Sequence, residues 1–263
     1  MGTKHELLTD RELAAYRIPP DVSAQLEAFL ARHPDRQPAD VNILDWGCGR
    51  GRLVAKLREL GFSAYGVDID PEPLANGRAL LEQRGYPSGE LLRLVEQTNG
   101  FRDGFFHLIF SDQVLEHVAD LPAVLREMGR LTVRGGGGVH RFPAPRNILE
   151  AHLRMPFVHW LPKSPIRRRW VTAMLRLSLG PRPAWTETAG KPLRERAEVY
   201  YRYLNERTYY RDNALVEAEL GRAGFASRDR IDSRNRLLKR LVPRNLRRNG
   251  FPSGNVVFVT LRT

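Results

Sequence analysis

The sequence predicts an α/β fold, specifically a doubly wound, mostly parallel seven-stranded sheet. First, short apolar runs alternate along the chain with longer segments that are apolar on one face only. Alternating strands and helices require a parallel sheet that is covered on both faces. Second, an apolar run at 42–46 leads directly into three alternating glycines and a helical pattern. The chain has 263 residues, enough for one large domain with a sizeable core.

The predicted elements follow in chain order. Residues about 10–40 form a helical N-terminal cap that ends in the Pro34 to Pro38 linker. Strands are predicted at 42–46, 63–68, 91–96, 107–112, 137–142, 225–231 and 256–262, and helices at 51–60, 72–84, 121–131 and 212–223. Pro71 in a first helical turn and Gly61 after a helix end support these limits. No apolar crossover helix precedes the last strand, so we expect it to insert antiparallel.

Two motifs lie at the ends of the first two predicted strands. Gly47, Gly49 and Gly51 follow Asp45 with the spacing G-x-G-x-G, whereas a dinucleotide fold has G-x-G-x-x-G. Glycines let the backbone approach a ligand closely, and amides at a helix start favour an anionic group. About seventeen residues later, Gly-Val-Asp-Ile-Asp ends the second strand with Asp68, which can accept both hydroxyls of a ribose.

These two motifs, in this order, resemble the class I S-adenosylmethionine (SAM) dependent methyltransferases. Residues 105–118 and 125–139 resemble the ubiquinone-type, or methyltransferase type 11, subfamily. The resemblance covers about 41–143 well and 208–225 weakly. It implies a SAM-dependent enzyme with a Rossmann-like methyltransferase fold. The predicted domains are an N-terminal helical cap at 1–40 and a methyltransferase domain at 41–263. Within the second domain, we expect a basic insertion or lid at about 144–211, after strand five. A glycine-rich turn in another α/β nucleotide fold is the alternative.

The resemblance also implies which residues bind the SAM cofactor. They are Asp45, Gly47, Cys48, Gly49, Gly51, Asp68, Ile69, Gln97, Asp112 and Gln113. Asp45 is placed near the methionine amino group, Asp68 at the ribose hydroxyls and Ile69 on the adenine face. Gln97 lies where the family usually has an Asp that meets the adenine amino group. Its amide oxygen can still accept one hydrogen bond, so we expect weaker adenine recognition.

Some of these residues have simpler explanations. Asp68 could be a turn-initiating acid before Pro71. Cys48 is better explained as a small residue packed beside the ligand than as a nucleophile. It is the single cysteine of the chain, which excludes an internal disulfide and a Cys-rich metal site and suits a reducing cytosol.

His117 and His140 are the candidate catalytic bases. A hydroxyl acceptor usually has to lose its proton, and histidine can accept it near neutral pH. His117 follows the fourth predicted strand and His140 lies near the end of the fifth, where the carboxyl ends of parallel strands meet the ligand crevice. A hydrogen-bonded structural role is the alternative for each. His152 and His159 lie in the segment without a recognised pattern.

A metal ion is not predicted. Glu116-His117 resembles the Glu-x-x-Glu-His pattern of some metal-assisted ubiquinone O-methyltransferases, but Gln113 stands in place of the first acid. This substitution removes one charged ligand. Hard divalent cations prefer carboxylate oxygens, so the sequence argues against metal dependence.

The net charge of +12 is concentrated in two segments. Residues 141–211 contain 15 Lys/Arg and 5 Asp/Glu, and residues 233–250 contain 7 Lys/Arg and no acid. Both segments leave the carboxyl edge of the predicted sheet, so we expect them to surround the mouth of the site and to favour an acidic partner. Within 155–177, aromatic and apolar residues adjoin an arginine cluster. This pattern suits contact with anionic lipid, a lid over the substrate, or a packed insertion with a solvated basic face.

The sequence therefore predicts O-methylation of an anionic or lipid-linked small molecule or glycan by SAM. An RNA methyltransferase and a non-catalytic SAM-fold binding protein are the alternatives. Nucleic acid is the weaker partner because no RNA-binding module and no Asn-Pro-Pro-Tyr motif is recognised, although basic charge and tyrosines would fit it. Without a long apolar run or the apolar core of a signal peptide, we expect a cytoplasmic protein, with peripheral contact to an anionic membrane as a further option.

Overall fold

The computed structural model describes residues 9–95, 99–232 and 254–263. Within them, seven strands form one sheet in the order β3-β2-β1-β4-β5-β7-β6. The strands are Asn42–Trp46 (β1), Ser63–Asp68 (β2), Leu92–Leu94 (β3), Phe106–Asp112 (β4), Thr132–Pro143 (β5), Phe225–Asp232 (β6) and Asn255–Arg262 (β7). β1 to β5 pair in parallel, and β7 runs antiparallel to both β5 and β6. The predicted seven-stranded, mostly parallel sheet with a reversed last strand is confirmed.

The helices of the described residues lie between these strands and before β1. They are Asp10–Ala15 (α1), Pro20–Arg32 (α2), Arg52–Glu59 (α3), Pro71–Gln83 (α4), Ser88–Leu91 (α5), Leu121–Leu131 (α6), Pro165–Arg176 (α7), Leu193–Glu206 (α8) and Asn213–Arg222 (α9). Asp70 and Asp120 cap α4 and α6 by accepting hydrogen bonds from backbone amides of the first turn. In the part of the chain described, no helix has both the length and the apolar character to cross a bilayer.

Two apolar clusters cover the two faces of the sheet. Ile43 and Leu44, which are consecutive in β1, belong to different clusters because successive side chains of a strand point to opposite faces. Leu13 of α1 and Phe29 of α2 are buried in the same cluster as Ile43. The N-terminal helices therefore share the core of the sheet and are held at the side of β1 and β5.

The segment between β5 and α9 has an apolar cluster of its own. It includes Met155, Val171 of α7, and Tyr200 and Leu204 of α8. Arg167 is buried beneath it, donates to the Leu161 carbonyl oxygen at 3.0 Å, and donates further to the α8 end. One of the three arginines at 167–169 is thus a structural clamp and not part of a cationic surface. The second basic segment, 233–250, lies outside the described residues.

Strand β5 begins five residues earlier than predicted. Gly135 and Gly136 precede the predicted strand at 137–142, but they lie inside β5 (Thr132–Pro143). A Cβ added at Gly138 would collide with the Ile109 carbonyl oxygen of β4. A Cβ added at Gly136, before the predicted start, would likewise collide with the His107 carbonyl oxygen of β4. A sequence pattern does not distinguish a glycine that a neighbouring strand approaches closely from one that makes a turn.

We expect Gly138→Ala to destabilise the protein by about 2 kcal/mol or more, because overpacking a strand interior displaces its neighbours. Gly221→Ala is the matched control. Gly221 lies in α9 with no described heavy atom within 4 Å of an added Cβ, so alanine should stabilise the helix by up to about 1 kcal/mol. Urea denaturation of both variants measures the difference. Equal midpoints would contradict the close approach of β4 and β5 at Gly138.

Candidate cofactor and active site

The glycine loop after β1 is tied to the end of β2. The amides of Gly47 and Cys48 donate to the Val67 carbonyl oxygen at 2.8 and 3.0 Å. The Gly49 amide donates to Asp68 Oδ2 at 2.7 Å. A Cβ added at Gly49 would meet no described atom within 4 Å. The loop therefore presents an open edge beside the Asp68 carboxylate, where the sequence predicts a ligand.

Asp68 is oriented by the backbone on both of its oxygens. Oδ1 accepts from the Asp70 amide at 3.0 Å, while Oδ2 accepts from Gly49. A carboxylate has about four acceptor positions, so two remain for hydroxyl groups. Ile69 next to it is 80% exposed. The predicted ribose and adenine positions are thus accessible in the described structure.

Cys48 is buried within the glycine loop. Its sulfur lies 2.6 Å from where a Cβ at Gly66 would be, so the two residues depend on each other's small size. Burial, reinforced by the Asp45 and Asp68 carboxylates, raises the pKa of the Cys48 thiol. A neutral, packed thiol agrees with the expected small-residue role.

A cavity opens at the carboxyl ends of β1, β4 and β5. Its lining residues are Tyr16, Pro19, Asp21, Val22, Asp45, Gly47, Cys48, Arg52, Leu53, Phe110, Ser111, Asp112, Val139 and Arg141. The β4–β5 register places Asp112 opposite Arg141, and the guanidinium donates to both carboxylate oxygens, with Nε at 2.8 Å from Oδ1. The N-terminal helices thus close the site that the strand ends open.

Asp45 is the buried carboxyl group of this cavity. Burial, followed by the neighbouring Asp112 and Asp68 carboxylates, raises the pKa of Asp45 to about 7, and Arg52 opposes this only partly. Burial also raises the pKa of Tyr16 to about 12, so its hydroxyl stays neutral. A cationic ligand beside Asp45 would favour the ionised carboxylate.

The remaining predicted cofactor residues are less completely described. Gln113 follows β4 with φ 58°, a left-handed conformation, and its amide donates to the Arg141 carbonyl oxygen at 2.7 Å. Its side chain is exposed. Gln97 lies outside the described residues. The individual cofactor contacts of both residues stay predictions.

Comparison with known proteins agrees with this geometry. Residues 44–139 match the family model described as a methyltransferase domain. The ubiquinone biosynthesis O-methyltransferase of Sodalis glossinidius (strain morsitans) is 32% identical over 95 residues, which cover 36% of this chain and 38% of that protein. The malonyl-[acyl-carrier protein] O-methyltransferase of Serratia marcescens is 33% identical over 123 residues, or 47% and 44% of the two chains. The chain spans about two fifths of the length of such curated relatives.

Solved structures share the fold over most of the chain. A SAM-dependent methyltransferase from Mesorhizobium loti has a TM-score of 0.53 at 18% identity and covers 91% of this chain and 98% of its own. The geranyl diphosphate C-methyltransferase of Streptomyces coelicolor A3(2), solved with Mg²⁺, geranyl diphosphate and S-adenosyl-L-homocysteine, has a TM-score of 0.53 at 13% identity and covers 97% and 84%. Residues 44–139 form a class I SAM-dependent methyltransferase domain. SAM is the cofactor of this domain.

The two predicted bases of the methyltransferase domain have different surroundings. His140 is fully buried in β5, its Nδ1 lies 2.9 Å from Ser111 Oγ, and burial lowers its pKa to about 4. His117 is partly exposed, and its Nδ1 donates to the Arg207 carbonyl oxygen at 2.6 Å, which leaves Nε2 as an acceptor. The geometry favours His117 over His140 for contact with an acceptor, and a catalytic role of either histidine stays a prediction.

Several residues near the site were not identified from the sequence. Arg141 pairs with Asp112, and the predicted ends of strands four and five could have suggested this pair. Tyr16 reaches the cavity because α1 and α2 dock on the sheet, and the predicted helical cap at 10–40 does not indicate which strands it packs against. His152 lies 4.9 Å from His117 between ring centroids, and Glu116 is buried next to both. The sequence analysis already considers Glu116 and His117 together, but sequence spacing does not show that His152 meets them.

We expect binding of S-adenosyl-L-homocysteine to release a proton through Asp45. Below about pH 7 this carboxyl group is mostly protonated, whereas its predicted partner, the ligand ammonium, requires the carboxylate. Affinity should therefore rise by up to about tenfold per pH unit between pH 5.5 and 7, below the range where an α-amino group near pKa 8 deprotonates.

Calorimetry in buffers with different ionisation enthalpies measures this proton release. Asp45→Asn should bind more weakly and without the pH slope. Asp70→Asn, which changes the cap of α4, should keep the slope. An affinity that is flat from pH 5.5 to 7 in the native protein would show that Asp45 does not receive the ammonium.

Proposed function

We propose that this chain is an O-methyltransferase that acts on an anionic or lipid-linked small molecule or glycan. The observation that carries the proposal is an exposed surface of mixed apolar and cationic residues in the segment that follows β5. Because β5 ends at the edge where the cofactor cavity opens, this segment leaves the sheet beside that cavity. Matches to proteins named as O-methyltransferases favour oxygen as the acceptor atom.

For methyl transfer, the protein mainly has to align SAM with the acceptor, because the cofactor itself carries the reactive group. SAM supplies a methyl group on a sulfonium, and an acceptor oxygen displaces the neutral thioether in line while its proton passes to a base. Asp45 and Asp68 would hold the two ends of the cofactor. Arg52 and Arg141 line the cavity, but Asp112 neutralises Arg141, and Asp21 and Asp45 lie on the same wall. The preference for an anionic acceptor therefore rests on the segment after β5 and not on the charge of the cavity wall.

The surface itself, here called the α7 face, consists of Phe157, Trp160, Ile166, Arg169 and Leu177. Ile166 is 58% exposed and Leu177 65% exposed, and Arg169 lies between them on the same side of α7. The rings of Phe157 and Trp160 lie 5.0 Å apart, just before the helix. Exposed apolar side chains next to an arginine favour the boundary of an anionic membrane. There the acyl chains of the lipids accept the apolar side chains, and the anionic headgroups pair with the arginine.

Not all the basic charge of this segment is available to a ligand. Lys163 donates to the carbonyl oxygens of Asn205 and Thr208, and Arg211 donates to those of Val118 and Ala119. These side chains anchor the segment to its neighbours. At the α7 face an anionic ligand would therefore meet Arg169, and not the full excess of 15 basic over 5 acidic residues in 141–211.

The acceptor class is tested by incubating the protein with methyl-labelled SAM and a fractionated lysate. We expect label in the organic-solvent or glycan fraction, and none with Asp68→Ala, which loses two hydrogen bonds to a charged group and about 100-fold or more in SAM affinity. Asp70→Ala serves as the matched control. Label mainly in RNA would overturn the proposed substrate class, and no label in any fraction would argue against turnover.

Membrane contact is tested by sedimentation with vesicles of phosphatidylglycerol and of phosphatidylcholine. The native protein should bind the anionic vesicles at least tenfold better, and Ile166→Glu with Leu177→Glu should remove most of this binding. Leu60→Glu with Leu215→Glu changes two other exposed leucines, at 55% and 50%, and should leave it intact. Equal loss in both double variants, or no preference for anionic lipid, would refute the role of the α7 face.

A further inference from the structure

A buried carboxylate without a hydrogen-bond partner lies between two histidines. Glu116 is 2% exposed, and neither of its oxygens has a partner among the residues that the structure describes. His117 Nε2 lies 3.9 Å and His152 Nε2 4.0 Å from Glu116 Oε1. These separations are too long for direct hydrogen bonds but place all three atoms around one point. Burying such a group is unfavourable unless something between the atoms compensates for the lost water.

The hydrogen bonds of the two imidazoles determine which nitrogen faces this point. His117 Nδ1 lies 2.6 Å from the Arg207 carbonyl oxygen, which can only accept, so Nδ1 donates. His152 Nδ1 lies 2.8 Å from Glu150 Oε1 and donates to that carboxylate. In the neutral imidazoles, both Nε2 atoms therefore direct a lone pair at Glu116. Carboxylate and carbonyl acceptors behind the other ring nitrogen are the usual arrangement for histidine ligands of metals.

Glu150 is itself held firmly in place. It accepts from the backbone amides of His152 and Leu153 at 2.9 and 2.6 Å and from the Tyr210 hydroxyl. It is fully occupied as an acceptor and stands behind His152. No donor from the described residues reaches the Glu116 carboxylate, so Glu116 is the acid that remains for a ligand.

We propose that Glu116, His117 and His152 bind a divalent transition-metal ion of the zinc class. All three ligand atoms lie within 4.8 Å of one another. At zinc bond lengths of about 2.0–2.1 Å, tetrahedral ligand atoms are roughly 3.3 Å apart. Each imidazole Nε2 would therefore move about 0.6–0.7 Å closer to Glu116 Oε1, and no pair of ligand atoms would have to close by more than about 1.5 Å. Two imidazoles with one carboxylate favour zinc-like ions, whereas Mg²⁺ and Ca²⁺ require mostly oxygen ligands.

This site differs from the Glu-x-x-Glu-His pattern considered in the sequence. Gln113 removes the first acid of that pattern, and the third ligand comes instead from His152 in the segment after β5. The ion would join the turn after β4 to that segment and leave a fourth position for water or another oxygen ligand. His117 would then be a ligand and not a free base. The ion would lower the pKa of an acceptor hydroxyl bound in the fourth position. This consequence rests on the proposed function, whereas the metal site itself does not depend on it.

The test uses the full chain purified without a histidine tag, stripped with a chelator and titrated with Zn²⁺ and Co²⁺. We expect one ion per chain by elemental analysis, a visible Co²⁺ spectrum of four-coordinate type, and a Tm that rises on adding Zn²⁺. His152→Ala and Glu116→Gln should each weaken Co²⁺ binding by at least about 100-fold. His33→Ala, which removes a histidine outside the cluster, should bind as the native protein does.

Two results separate the ion from a bridging water. In metal-free solution, Glu116→Gln should raise the Tm because it removes an uncompensated buried acid, and Zn²⁺ should then add nothing. S-adenosyl-L-homocysteine binding should be unchanged in both cluster variants, so loss of the cofactor site would be distinguished from loss of the ion. Native protein that binds no stoichiometric ion, or His152→Ala that binds Co²⁺ as tightly as native, would overturn the proposal.

Discussion

The hydrogen bond from the Gly49 amide to Asp68 joins the two motifs on which the site depends. It forms only because β1 and β2 pair in a register that places Trp46 beside Val67, so that both strands end at the same level. The loop can follow this path because Gly47, Gly49 and Gly51 all have positive φ, which other residues seldom adopt. One contact thus fixes the direction of the loop, the orientation of the carboxylate and the start of α3.

Local sequence patterns predicted the elements that carry this contact. The limits of β1 and β2 agree with the prediction, and α6 agrees at both ends, because periodicity and proline or glycine positions act within a few residues. β5 began five residues early because a glycine that admits a neighbouring strand looks the same as one that makes a turn. Arg141, Tyr16 and His152 reach their partners only through sheet register and helix docking, which no local pattern encodes.

Charge was the property that the sequence described least well. The excess of 15 basic over 5 acidic residues at 141–211 suggests a uniformly cationic surface. In the structure, Arg167, Arg211 and Lys163 donate to backbone carbonyl oxygens and hold loops in place. Arginine serves this purpose well because its planar group carries five donors. The net charge therefore indicates the sign of the electrostatic potential around the segment, but it overestimates the number of positively charged side chains that are available to a ligand.

The structure also buries three carboxyl groups near the carboxyl edge, and their surroundings differ. Glu150 is stabilised as an anion: burial raises its pKa, but hydrogen bonds from His152 and Tyr210 outweigh this effect and lower it overall. In the described parts of the chain, no side-chain donor of this kind reaches Asp45, which opens onto a cavity where a cationic ligand can take the place of such a donor. Among the residues that the structure describes, none donates a hydrogen bond to the Glu116 carboxylate, and the His117 imidazole lies 3.9 Å from it. A buried carboxylate is tolerated only when hydrogen bonds, a counter-ion or a metal ion replaces the water that it has lost. Glu150 has hydrogen bonds for this purpose. Asp45, at an open cavity, is suited to a cationic ligand, and Glu116, between two imidazoles, is suited to a metal ion.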